Sequence, residues 1–162
     1  MTGLTYNSKI DLLVSADSSG KVCYFSAIKK RFIRDFSVKN PVKKIDISIL
    51  GLVLIAYQKQ DLSSSKTIIE ARDLSGKKLK SLGVVGKCTA FKIIQLPGEL
   101  DCLVIALENQ IMILRCYDLE MMAKAKIEKI VYGIAYSKES RTLCVICENG
   151  IYYRELKLNS LA

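Results

Sequence analysis

The sequence predicts an all-β protein, a β-propeller of about four blades that each contain four antiparallel strands. Apolar runs of strand length alternate with clusters of Gly, Ser, Asp and Lys, which are residues typical of turns. These runs fall into groups of four. The groups recur at intervals of about 40 to 46 residues, which is the repeat length of a propeller blade. The third strands of the four groups begin at Val22, Ile68, Ile111 and Ile151.

One complete unit lies between Ile45 and Leu82 and shows the pattern most clearly. Its four predicted strands are Ile45–Ile47, Leu52–Tyr57, Thr67–Ala71 and Lys78–Leu82. The connection Lys59–Lys66 is longer than the matching hairpins elsewhere, so we expect an expanded loop there.

The four units predict blade boundaries at 1–37, 42–83, 88–128 and 131–158 within a single propeller region, 1–162. Tight hairpins are indicated at Asp17–Gly20 and at Asn149–Gly150, where glycine supplies the positive φ of a short turn. The fourth unit lacks an outer strand. We therefore expect a partial propeller whose last blade is incomplete.

The segment 118–126 permits two interpretations. It consists of good helix formers, which favours a helix. The register of the repeat instead requires a turn followed by an outer strand, and we predict the strand.

Composition limits the class of protein further. The 162 residues carry a net charge of +9 and contain no apolar run that approaches the roughly 20 residues of a membrane helix. No signal peptide is indicated at the N-terminus, so we expect a cytoplasmic protein that could associate peripherally with membranes. The six cysteines lie mostly in aliphatic runs, which favours reduced, buried thiols over disulfides.

Catalysis is disfavoured by the residues present. The chain has no His, which excludes Ser-His and Cys-His nucleophiles and histidine-ligated metals. Cys144 and Cys147 have the spacing of a metal or redox pair, but residues three apart on a strand point to opposite faces. We therefore predict no enzyme activity, no catalytic residue, no cofactor and no metal site.

Surface charge and aromatic residues are the remaining candidates for function. Lysines and an arginine recur in the predicted turns and are candidate partner-binding residues: Lys29, Lys30, Arg31, Lys43, Lys44, Lys77, Lys78 and Lys80. They either solubilise the surface or meet an acidic partner, an anionic lipid headgroup or RNA. Four tyrosines could anchor an interface or belong to the core: Tyr132, Tyr136, Tyr152 and Tyr153.

The period and the strand pattern resemble those of WD40-repeat proteins. The Trp-Asp dipeptide that closes the third strand in that family is represented by Arg72–Leu74 and by Tyr117–Leu119. The first and fourth units depart from the signature, and the Gly-His dipeptide of the family is absent. The resemblance covers nearly the whole chain.

Within that family the chain is most similar to the C-terminal propeller of BEACH-domain proteins of the neurobeachin type. The similar stretches are Thr2–Tyr6, Leu13–Gly20, Arg31–Arg34 and Ile69–Leu79. No BEACH domain is found in the chain. The resemblance implies a non-catalytic scaffold that acts in vesicle or membrane traffic.

We therefore expect a protein–protein interaction scaffold, with a polyanion-binding module for RNA or anionic phospholipid as the alternative. Four blades are few for a closed ring. Three arrangements are compatible with this: further blades in a longer parent chain, association of two copies, or a partner that supplies the missing strands.

Overall fold

A computed structural model describes residues 1–61, 64–98, 100–108 and 110–155. In this part of the chain, fifteen strands form four antiparallel sheets and no helix occurs, which confirms the predicted all-β class. The sheets follow one another along the chain, three with four strands and the last with three. We number them blade 1 to blade 4. None of the described elements is a long apolar helix that could span a membrane.

The strands of each blade are consecutive in sequence. Blade 1 contains β1 (Gly3–Asn7), β2 (Leu12–Ala16), β3 (Lys21–Ser26) and β4 (Arg31–Ser37). Blade 2 contains β5 (Val42–Ile47), β6 (Val53–Asp61), β7 (Ser64–Arg72) and β8 (Lys78–Val85). Blade 3 contains β9 (Cys88–Leu96), β10 (Leu100–Leu107), β11 (Gln110–Arg115) and β12 (Met121–Lys126). Blade 4 contains β13 (Val131–Ser137), β14 (Thr142–Cys147) and β15 (Gly150–Glu155).

Every blade is an antiparallel meander, so its turns lie at two opposite ends. We call the end with the first-to-second and third-to-fourth strand turns the upper face. The second-to-third hairpins and the connections between blades form the lower face. Gly20, in a lower-face hairpin, has φ 90°, and a Cβ atom there would lie 2.3 Å from the carbonyl oxygen of Val38. Only glycine fits this turn.

The core consists of three layers, one between each pair of neighbouring blades. Val14 and Ile55 belong to the layer between blades 1 and 2, and Leu54 and Ile105 to the next. Val104 packs in the third layer together with residues of blade 4. Since successive strand residues point to opposite faces, the middle blades contribute alternate residues to two layers. Each fully buried aliphatic side chain contributes roughly 1.5–3 kcal/mol.

The first strand of each blade lies on the inner side of the array, where it contacts the first strand of the next blade, β1 with β5, β5 with β9 and β9 with β13. The buried Asp46 on β5 joins three of these strands. Its carboxylate accepts hydrogen bonds from the Thr5 hydroxyl at 2.7 Å and from the Ile93 amide at 2.8 Å, and it pairs with the Lys92 ammonium at 3.3 Å. This carboxylate therefore holds blades 1, 2 and 3 in register.

A second polar contact lies at the outer part of the seam between blades 1 and 2. Arg72 and Glu70 form a largely buried ion pair at 2.6 Å, and the Tyr57 hydroxyl donates to Glu70 at 2.9 Å. The Arg72 guanidinium also lies over the Phe36 ring of blade 1, 4.8 Å from its centroid. The charge of Arg72 is thus matched on one side by a carboxylate and on the other by an aromatic face.

Two local predictions are decided by strand pairing. The segment 121–126 is a strand, as the repeat predicted, because Ala123 pairs with Ile113 of β11. The prediction of an expanded loop over 59–66 is wrong, because β6 and β7 remain paired from Val53 as far as Asp61, which lies opposite Ser64. Turn-type residues such as serine and lysine continue the ladder here because their backbone groups find partners across the hairpin.

Candidate protein-binding surfaces

The structure separates the predicted basic residues into groups at opposite ends of the blades. Two groups lie on the upper face, in or beside the third-to-fourth strand turns of blades 1 and 2: Lys29, Lys30 and Arg31, and Lys77 and Lys78. Lys80 lies further along the outer strand β8. Lys43 and Lys44 lie near the start of the inner strand β5, at the lower-face end. The eight residues therefore do not form one continuous surface.

Each basic turn on the upper face is hydrogen-bonded to a carboxylate, which comes from the adjacent first-to-second strand turn in blade 1 and from the basic turn itself in blade 2. Asp11 accepts hydrogen bonds from the Ser26 hydroxyl and from the Ile28 amide, which hold the pKa of Asp11 below its usual value. Asp73 is bonded to the Ser75 hydroxyl and to the Lys77 amide, which lowers the pKa of Asp73. Both turns thus carry an anion close to their lysines, and their attraction for an acidic ligand is reduced.

A second candidate surface is an apolar cleft of about 580 Å³ between blades 3 and 4. Aliphatic residues from β11, β12 and β14 line it, together with the ring of Tyr152 on β15: Ile111, Ile113, Ala123, Ala125, Leu143 and Val145. Leu143 and Val145 are buried at its base, whereas Ala123 and Ala125 are exposed. This volume falls within the range of ligand-binding clefts.

The cleft lies where blade 4, in the part of the chain that the structure describes, has three strands and the other blades have four. Leu82 and Val84, the equivalent residues of the outer strand β8, pack against residues of blade 3. Ala123 and Ala125 of β12 have no such cover, because the structure places no described strand beside the outer edge of β15. No strand within the described residues pairs with the backbone donors and acceptors on that edge of β15, and an unpaired strand edge is a template for strand addition.

The margin of the cleft is basic. Lys124, Lys126 and Lys129 line it, with Glu128 as the single acidic residue among its described lining. The Lys129 ammonium lies 4.8 Å from the centroid of the Tyr152 ring, and its hydrogen bond to the Tyr152 hydroxyl raises the pKa of Lys129. Lys129 therefore keeps its positive charge at the mouth of the cleft.

The cysteines are free thiols that belong mainly to the core. Burial raises the pKa of Cys88 to about 12 and the pKa of Cys102 to about 11, so neither is a reactive thiolate at neutral pH. Cys144 and Cys147 lie on opposite faces of β14, as their spacing predicted. Cys147 lines the cleft on the blade 3 side, and Cys144 faces away from it. Among the described residues, no group of three or more His, Cys, Asp or Glu side chains could hold a metal ion.

The sequence did not identify this cleft. Two features of the sequence could have indicated the cleft: the missing outer strand of the fourth unit and the tyrosines near the end of the chain. Of these tyrosines, Tyr152 lines the cleft, Tyr153 is exposed on the other face of β15, and Tyr136 has a buried hydroxyl. The alternation of lysine and alanine in β12 becomes informative only when blade 4 is placed beside it.

Comparisons with known proteins support the fold. No protein-family model matches the chain, and no curated protein sequence matches it. Among solved structures, the chain is similar to the computationally designed Ika4 protein, with 12% identity, a TM-score of 0.70, and coverage of 95% of this chain and 89% of that one.

Two natural propellers are also similar. One is the β-propeller domain of Cps50 (Swd1) from Myceliophteria thermophila, with 14% identity, a TM-score of 0.63, and coverage of 99% of this chain and 53% of that one. The other is the WD40 β-propeller domain of Doa1, with 11% identity, a TM-score of 0.71, and coverage of 94% and 49%. The chain has a WD40-type β-propeller fold and spans about half the length of these two natural chains.

Proposed function

We propose that this chain is a non-catalytic scaffold that binds other proteins, and that blade 4 captures an extended segment of a partner. The observation that supports this most directly is the apolar cleft beside the open edge of β15. An extended segment that pairs with this edge would complete a four-stranded blade. Its alternate side chains would enter the cleft and cover Ala123 and Ala125.

The chemistry of the cleft specifies the partner segment. Pairing along Gly150–Glu155 requires about six extended residues, and the period of a strand places every second side chain in the cleft. Those side chains should be apolar, to match Ile113, Ala125 and Val145. The flanking residues should be acidic, since Lys124 and Lys129 lie at the margin.

Binding of synthetic peptides tests this proposal. Fluorescence anisotropy would compare a labelled peptide of alternating apolar residues and acidic flanks with a scrambled peptide of the same composition. We expect saturable binding of the alternating peptide and at least tenfold weaker binding to the Ala125→Tyr variant, in which the ring fills the cleft. Ala27→Tyr, in an exposed upper-face turn, is the matched control and should bind as the wild type does. Equal affinity of the wild type for both peptides would rule out strand addition.

A role in vesicle or membrane trafficking is the finer part of this proposal. It is supported by the similarity of stretches such as Leu13–Gly20 and Ile69–Leu79 to the propellers of BEACH-domain proteins. We expect a cytoplasmic protein that is recruited to membrane surfaces through its protein partner. Fluorescence microscopy of the tagged chain would show vesicle-associated puncta that Ala125→Tyr disperses and Ala27→Tyr preserves; a uniformly diffuse signal would refute this role.

Polyanion binding through the basic turns is the second candidate. Lys30 and Lys77 lie in exposed turns of adjacent blades on the same upper face, which is the observation that favours it. Sedimentation with anionic vesicles and titration with an RNA oligonucleotide, each at several salt concentrations, would test it. Binding that weakens steeply with salt and is lost in a Lys30→Glu, Lys77→Glu double variant would support this function. Salt-independent binding would oppose it.

A further inference from the structure

Among the residues that the structure describes, none covers one face of the blade 1 sheet. Leu12, Val14 and Ala16 of β2 point into the core layer shared with blade 2, so the alternate residues of the blade point the other way. The uncovered residues are largely apolar, with Ser15, Cys23 and the ion pair of Lys21 and Asp35 among them: Leu4, Tyr6, Leu13, Phe25 and Phe32. Leu4 is 55% exposed and Phe32 54%. We call this surface the open face of blade 1.

The described residues also leave one face of blade 4 uncovered, and it is the face that points away from blade 3. Leu143, Val145 and Cys147 of β14 point toward blade 3. The alternate residues of blade 4 are again mostly apolar and exposed: Cys144, Ile146, Ile151 and Tyr153, with Ala135 beside them. Ile151 is 55% exposed and Tyr153 68%, and a shallow depression of about 440 Å³ lies between Ala135, Cys144 and Tyr153. We call this surface the open face of blade 4.

The two open faces are of complementary types. We call the side of a blade that points toward the next blade in the chain its forward face, and the other side its backward face. In each of the three core layers, the forward face of one blade packs on the backward face of the next. The open face of blade 4 is a forward face, equivalent to the one that carries Val104 in blade 3. The open face of blade 1 is a backward face, equivalent to the one that carries Ile55 in blade 2. A contact between blade 4 and blade 1 would therefore continue an arrangement that the chain already contains three times.

The described part of the chain does not make this contact with itself. Within the described residues the inner strands contact one another in chain order, and β13 and β1 form no comparable contact. The four blades are therefore an open arc with an apolar face at each end. Contiguous exposed apolar residues on a protein surface indicate an interaction site.

We propose that two copies of this chain associate head to tail, with the open face of blade 4 of each copy packed on the open face of blade 1 of the other. A twofold axis relates the two joints, so the assembly closes into a ring of eight blades and leaves neither open face exposed. The match to the Doa1 propeller domain covers 49% of that chain. The single Doa1 chain is therefore about as long as two copies of this chain. The proposal does not rest on the peptide site, because the cleft between blades 3 and 4 lies outside both joints.

Solution mass is the first test. Size exclusion with light scattering on the full chain should give twice the 18.1 kDa of one copy. Tyr153→Asp and Phe32→Asp each place a carboxylate in a joint, and each should yield a folded monomer with an unchanged far-ultraviolet circular dichroism spectrum. Leu50→Asp, at a residue 77% exposed on the upper face, is the matched control and should stay dimeric. A monomeric wild type, or a mass that grows with concentration as in an open filament, would overturn the proposal.

Chemical crosslinking through two native cysteines tests the orientation of the two copies. Cys23 lies on the open face of blade 1 and Cys144 on the open face of blade 4, and neither is fully buried in the single chain. A short bismaleimide should therefore give a covalent dimer of the wild type. Cys23→Ser alone and Cys144→Ser alone should give none, and a mixture of the two variants should give it again. Crosslinking that survives either single substitution indicates a head-to-head contact and would refute the proposal. A dimer in which neither cysteine crosslinks would also refute it.

Discussion

Replacement of Asp46 by alanine tests whether one buried carboxylate holds the inner strands of three blades together. Asp46 is 5% exposed, and its partners come from different blades: the Thr5 hydroxyl from blade 1 and the Ile93 amide and Lys92 ammonium from blade 3. Alanine removes every acceptor at once. The Ile93 amide then faces an apolar methyl group in a space that the backbone of three strands encloses.

The expected loss can be worked out from these contacts. An unsatisfied buried amide costs about 1–3 kcal/mol, and each lost hydrogen bond to a charged group about 1.5–3 kcal/mol. Lys92 is about half exposed and can return to water, which reduces its share. The free energy of unfolding should therefore fall by about 3–5 kcal/mol, as for removal of one partner of a buried ion pair. For a domain of this size that corresponds to a decrease in Tm of roughly 6–20 °C.

Urea unfolding followed by far-ultraviolet circular dichroism measures this loss. Glu120→Ala is the matched control, because Glu120 pairs with Arg115 on an exposed surface of blade 3 away from both joints, with 65% of the Glu120 side chain accessible. Such surface pairs contribute at most about 1 kcal/mol. If Asp46→Ala costs no more than Glu120→Ala, the reasoning that Asp46 joins the blades is wrong.

Three further predictions concern turns and buried titratable groups. Gly76→Ala should lower the free energy of unfolding in urea by about 2–4 kcal/mol, because Gly76 has φ 82° and an added Cβ would lie 2.7 Å from the Phe36 ring. Gly98→Ala is the control, because Gly98 has the same φ and open space around it. It should cost only the backbone strain of about 1–2 kcal/mol. Burial raises the pKa of Tyr57 to about 12, so the unfolded chain loses this proton first, and the free energy of unfolding should fall as pH rises from about 10 to 12. Tyr57→Phe should reduce that slope, and an unchanged slope would contradict the assignment. Cys88 should resist iodoacetamide at about pH 8 in the folded protein and react in urea, as peptide mass spectrometry would show.

Much of the fold could be predicted because strand periodicity and turn chemistry are local properties. The hairpin at Asp17–Gly20 depends on one glycine, which has the expected positive φ. The strand over 121–126 followed from the period of the repeat, although its residues favour a helix. Pairing with β11 overrides that preference, since propensity in short segments amounts to tenths of a kcal/mol per residue.

The prediction failed where pairing partners decided the outcome. The segment 59–66 contains residues typical of loops, but the ladder of β6 and β7 continues through Lys59 and Lys66. The basic residues likewise could not be grouped from their positions in sequence. Lys30 and Lys44 lie at opposite ends of their blades because an odd number of strand reversals separates them.

What the sequence determined by itself is the unit: short strands, alternating faces, tight turns and a period that repeats four times. The tertiary structure decided how those faces are used. Alternation shows that Val14 and Ser15 point in opposite directions, but only the stacking of blades shows that one is covered and the other lies on an open face. The same holds for Asp46, whose partners on blades 1 and 3 are more than 40 residues away on either side. A sequence pattern describes a strand and its two faces, whereas the neighbour on each face is set by the packing of segments that are distant in the chain.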